Sequence, residues 1–192
     1  MRLDPLRIGV IIGSVRDGSN TAKAAAIVVA ELLSLPGVTV DVIDPRQMAL
    51  AIPGAPGQQV AAQRLTQELQ GRFEHVHGVV MLTPEYDGSY SAVLKLMIEY
   101  LGYPSVLAGK SVAILGVAAG RIGALRALEH LRSLLVHIGA LVVPTPKSVA
   151  EAHKVFDAQG QVQDKHADGL MRGVARDLVE FVRRRDPSLC SG

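Results

Sequence analysis

The chain has 192 residues, 48% of them hydrophobic and 20% charged, with a formal net charge of +2. That is enough chain for one domain with a full core, and too little positive charge, without a dense Lys/Arg tract, for a protein held to nucleic acid by electrostatics. The lone cysteine, Cys190, excludes a disulfide within the chain and fits a reducing compartment. No signal peptide is recognisable at the N-terminus, and no apolar run reaches the roughly 18–20 residues of a membrane span. The expectation is a cytoplasmic protein.

In chain order, apolar runs at 7–12, 38–44, 77–83, 111–117 and 140–144 are predicted strands. Most are β-branched and nearly continuous, as strands buried on both faces are. Helical periodicity follows each of them, over 20–34, 59–72, 90–101, 122–138 and 165–184. On the first helix the pattern assigns Ala22, Ala26, Val29, Ala30 and Leu33 to the buried face; on the fourth it assigns Leu125, Leu128, Leu131, Leu135 and Ile138. Five strand–helix units predict one α/β domain over 1–192. The expected form is a flavodoxin-like three-layer sandwich with a five-stranded parallel sheet in the order 2-1-3-4-5. Residues 43–59 read as a long loop, and 156–164 as a turn around Gly160. The basic run Arg183–Arg185 is expected at the C-terminal end of the last helix, where positive charge is favourable.

Ligands of open α/β sheets bind beyond the carboxyl ends of the strands, where the strand order reverses. Two unusual loops fall there. The first, GSVRDGSN at 13–20, enters a helix N-terminus, which attracts anions. Ser14, Ser19 and Asn20 can donate hydrogen bonds to phosphate oxygens, and Arg16 adds a charge-assisted contact. The loop lacks the Gly-Lys-Ser/Thr ending of a Walker A motif and is not G-x-G-x-x-G. The second, TPEYDGSY at 83–90, offers backbone to a flat polar ring and Tyr86 or Tyr90 to its face; a plain turn with Ser89 capping the next helix is the alternative. A third loop, GVAAGRIGALRAL at 116–128, brings Gly120 and Gly123 to a helix start, for ligand approach or for close packing. His75 and His77 lack the companions of a metal motif. His130 and His137 read as packing or solvent-facing groups, Lys95 as a solvated helix residue, and Met48 as part of a pocket or an interface.

Together GSVRDGSN, TPEYDGSYSAVLKLMIEYL and GRIGALRALEHLRSLLVHIGALVVP resemble the NADPH-dependent FMN reductase family, which includes quinone, chromate and azo-dye reductases. AHKVFDAQGQV before the last helix is similar as well, so the resemblance covers nearly the whole chain. It implies FMN as cofactor and NADPH, or NADH, as hydride donor. The implied acceptor is small: a quinone, free flavin, azo compound or metal oxyanion. Ser14, Arg16, Ser19 and Asn20 would hold the FMN phosphate. Pro84, Glu85, Tyr86, Asp87, Gly88 and Ser89 would line the ring, mostly through backbone, and Gly120 would approach it. No side-chain nucleophile, general base or metal is implied. A homodimer or homotetramer is implied, with no nucleic acid or membrane partner. The chain departs from the family pattern at Asp87 (usually Asn), Ser91-Ala92 (often Pro-Gly), Leu96 (often Asn) and Tyr100 (often Trp). These departures bear on affinity and substrate range rather than fold. A flavodoxin-type electron carrier and a flavin-poor binding member are the alternatives.

Overall fold

The computed structural model describes residues 5–189, so Cys190 lies outside the described residues. Five strands form the parallel core of the sheet. They are β1 (Leu6–Ile12), β2 (Val38–Ile43), β3 (Gly78–Tyr86), β5 (Ser111–Val117) and β6 (Leu141–Val142). Their order is β2-β1-β3-β5-β6. This is the expected 2-1-3-4-5 order, renumbered because a short β4 (Ser89–Tyr90) folds back antiparallel on the end of β3. The sheet has seven strands rather than five. The seventh, β7 (Lys147–Val149), pairs with β5 alongside β6. The predicted fifth strand, 140–144, is reduced to β6, and the unpredicted β7 follows it, the two parted by Pro144 and Pro146, which have no amide hydrogen to offer a ladder.

Alternation along the strands feeds both faces. Val80 and Leu82 of β3 pack with Val10, Leu115, α1 (Asn20–Ser34) and α6 (Lys165–Arg185). Val79 and Met81 pack on the other face, with Ile11, Ile114, α2 (Gln59–Glu74), α3 (Ala92–Tyr100) and α4 (Leu125–His137). A one-turn helix, α5 (Ala152–Val155), follows β7. The buried face of α1 is Thr21, Ala24, Ala25, Val28 and Leu32, not the predicted set, and Ala26, Ala30 and Leu33 are exposed. The segment AAAIVVAELL is apolar almost all round, so periodicity leaves its rotation open. Leu125 is exposed as well, because α4 starts three residues later than predicted: Gly123 has φ 76°, outside helical geometry.

Polar side chains tie elements across the layers. Arg72 of α2 forms an ion pair with Asp41 of β2. Lys110 donates to the carbonyls of Glu74 and Val76, closing the end of α2, and burial lowers its pKa. Among the described residues, no helix is long and apolar enough to cross a membrane.

Candidate active site

The cleft lies where the strand order reverses, between the loops after β1 and β3. Gly13 closes β1 by donating to the Leu82 carbonyl at 2.7 Å. A Cβ there would stand 2.5 Å from that same oxygen, so only glycine lets β1 and β3 leave the sheet this closely. Ser14 is buried beneath the loop, and its Oγ accepts from the Arg16 amide. Ser19 caps α1 by accepting from the Thr21 amide at 3.2 Å. The first turn of α1 has no acidic residue. Its remaining unpaired amides and the helix dipole are what an anion needs.

Arg16, Ser19, Asn20 and Thr21 line one wall of the cleft; Pro84, Glu85 and Tyr86 line the opposite one. Ala118 and Ala119, at the end of β5, form the floor with little side chain between a ligand and the backbone. The Arg16 guanidinium is exposed and forms no ion pair among the described residues. Asp17 also lines the cleft, and Arg46, whose pKa is raised mainly by hydrogen bonding to Asp44, is raised slightly further by the Asp17 charge. The donor set suits a phosphate: helix amides, two hydroxyls, an amide side chain and one guanidinium.

The second loop is a hairpin rather than an open turn. Tyr86 pairs with Ser89, and the two residues between have positive φ, 48° at Asp87 and 73° at Gly88. That is the signature of a type I′ turn, which favours Asn-Gly and Asp-Gly alike. The Asp for Asn exchange is therefore accommodated by the backbone. Glu85 Oε2 accepts from the Ala127 amide at 3.1 Å and so caps α4, which has no side-chain cap of its own. Ser89 Oγ and His130 Nδ1 are 3.2 Å apart, giving that histidine a partner the periodicity did not foresee. Of the proposed ring-contact residues, Pro84, Glu85 and Tyr86 face the cleft, while Asp87, Gly88 and Ser89 form the hairpin tip outside its lining. Gly120 is not in that lining either; its carbonyl accepts from the Gly123 and Glu151 amides.

Two side chains were not singled out as site residues. Thr21 lines the same wall as Arg16 and Ser19, as the second residue of α1, where its hydroxyl reads as ordinary. Ser91 joins the two loops: its Oγ donates to the Gly13 carbonyl at 2.6 Å and accepts from the Leu94 amide at 3.1 Å, and its own amide donates to Thr83 Oγ1.

An open parallel sheet with a polar cleft at its reversal point is an α/β protein of the flavodoxin-like type. Residues 6–154 match the family described as NADPH-dependent FMN reductase, and the chain belongs to that family. An NAD(P)H-dependent FMN reductase of Pseudomonas aeruginosa is 32% identical over 186 residues, covering 94% of this chain and 97% of that one. A quinone reductase of Escherichia coli is 29% identical, with coverage of 94% and 97%. Among solved structures, the flavoenzyme NAD(P)H:(acceptor) oxidoreductase FerB from Paracoccus denitrificans superposes with a TM-score of 0.74 at 25% identity, covering 93% of this chain and 97% of that one. The chain is accordingly an oxidoreductase that uses FMN and NAD(P)H.

Proposed function

We propose that the protein reduces small quinones by two electrons at the expense of NAD(P)H. In balance, NAD(P)H, one proton and the quinone become NAD(P)+ and the quinol. FMN held in the cleft would supply the two-electron chemistry that links the two substrates. The chain's part is to bind and orient. Arg16, Ser19, Asn20 and the first turn of α1 would hold the phosphate, with Ser14 bracing the loop from below. The backbone of Pro84 to Tyr86 would line the ring. The hairpin tip, Asp87 to Ser89, borders the cleft mouth, and Gly120 fixes the loop beyond Ala119. The proton enters from solvent at that mouth. The similarity to named quinone reductases supports the choice of acceptor.

The observation that carries the cofactor site is the Arg16 guanidinium standing without an ion pair among the described residues beside a helix whose first turn holds no acidic residue. Its test is Arg16→Ala. A charge-assisted hydrogen bond is worth roughly 1.5–3 kcal/mol, so FMN should bind about 10- to 100-fold more weakly, read by titrating apoprotein with FMN. Unchanged affinity would refute the assignment. A visible spectrum that bleaches with NADPH under argon, and recovers on adding benzoquinone, tests the reaction.

We further propose a single domain acting in the cytoplasm as a homodimer or homotetramer. Exposed Ile122 and Leu125, beside the hairpin tip, support association. Sedimentation velocity measures it.

A further inference from the structure

Three large apolar side chains from three separate segments converge beside the cleft. Val15, in the loop after β1, is 48% exposed; Ile52, in the loop after β2, is 60% exposed; Tyr86, at the end of β3, is 41% exposed. Between them runs a groove of about 480 Å³, whose base is the Ala92, Val93 and Leu96 face of α3. That size falls within the roughly 300–1,000 Å³ of small-molecule sites. Arg16 is the one charged residue in its lining, and no carboxylate is present there. Arg16 and Tyr86 also line the cofactor cleft, so groove and cleft are continuous.

The groove is held open. Ala51 is fixed on both sides, its amide donating to Tyr100 Oη at 2.9 Å and its carbonyl accepting from the same hydroxyl. The next amide, of Ile52, donates to Gln58 Oε1 at 2.7 Å. With its backbone pinned, Ile52 stays out of the core and stands over the groove. Leu96 stands where the family pattern often has asparagine, which converts a polar wall into an apolar one.

We infer that this groove is a subsite for the apolar side chain of an alkyl- or prenyl-substituted quinone whose ring is reduced in the adjoining cleft. The assignment rests on the quinone reductase reading above and adds the class of quinone. Apart from Arg16, at the junction with the cleft, the groove offers a polar substituent little in return for the water it loses, whereas an alkyl chain would bury its own surface together with that of Val15, Ile52 and Leu96.

The test compares unsubstituted, alkyl-substituted and sulfonated benzoquinones with the holoenzyme. Wild type should show kcat/KM at least about tenfold higher for the alkylated quinone than for the other two. Leu96→Asn and, on a different element, Ile52→Ser should each lower that preference several-fold, and Leu96→Met should keep it. Calorimetric binding of the alkylated and unsubstituted quinols reads the subsite without turnover. The alkylated one should bind more tightly to wild type and lose that advantage in Leu96→Asn. Reduction of every quinone at similar efficiency, with no binding advantage, would overturn the subsite while leaving the reductase intact. Selective binding without turnover would refute the reductase reading and uphold the subsite. A smaller sedimenting species for Leu96→Asn with unchanged selectivity would show a second copy of the chain covering the groove, and would overturn the inference.

Discussion

The Ser91 hydroxyl joins segments 78 residues apart in the chain, since it donates to Gly13 while capping α3. Where the family pattern often has proline, this chain gains an amide as well, and the amide donates to Thr83. Through its side chain and its amide, one buried residue therefore ties together the segments that carry both loops. Ser91→Ala removes the cap and strands the buried Gly13 carbonyl. We expect a loss of about 2 kcal/mol in denaturant unfolding and several-fold weaker FMN binding. Normal FMN affinity in a destabilised Ser91→Ala would show that the serine serves stability alone. Asp87 sits in a turn whose backbone takes Asp as well as Asn, so the exchange from the family pattern is not a matter of local folding.

The long loop between β2 and α2 looks unanchored by composition, with two prolines and two glycines in IPGAPG. In fact Tyr100 of α3, fully buried, bonds both backbone groups of Ala51. Tyr100→Phe leaves a buried amide and carbonyl unpaired and should cost roughly 1–3 kcal/mol. The loop should also be cut faster by protease under native conditions; an unchanged cleavage rate would mean the loop is held by other contacts. Such anchors leave no periodic trace. The five parallel strands are legible because continuous β-branched runs such as GVVML must be buried on both faces. The strand order follows from the alternation of strand and helix, and the place of the 13–20 loop at the cleft from its dense polar residues before a helix. A two-residue strand such as β4 has no period to read, and neither Ser91 nor Tyr100 differs locally from an ordinary helix cap or core aromatic. Their roles depend on partners 78 and 49 positions away. The rotation of α1 was hidden for the opposite reason, an excess of apolar residues on every face.

At the scale of the molecule, the α1 and α6 layer is clamped by charge. Glu31 of α1 accepts from Arg172 and Arg176 of α6, and Arg172 also pairs with Asp168. Burial works to raise the Glu31 pKa, but the hydrogen bonds and charges of the two arginines outweigh it, and the net shift is downward. A carboxylate with a lowered native pKa stabilises the fold above the ordinary glutamate range, and that contribution disappears as pH falls through the native value. Glu31→Gln should therefore unfold at a lower temperature than wild type at about pH 7, with the difference shrinking toward about pH 3. A difference that persists unchanged in acid would mean that packing, not charge, is what the substitution removes. The split fifth position of the sheet has its own consequence. Any open strand edge is a template on which another chain can add a strand and begin to aggregate. Here β6 and β7 offer only two and three residues, with prolines 144 and 146 interrupting the row between them. At the other edge, Arg72 occupies the Val42 carbonyl of β2. Both borders of the sheet are thereby poor seeds for fibrils, and a crowded, concentrated stock of this protein should stay in solution through the very residues that interrupt its regular structure.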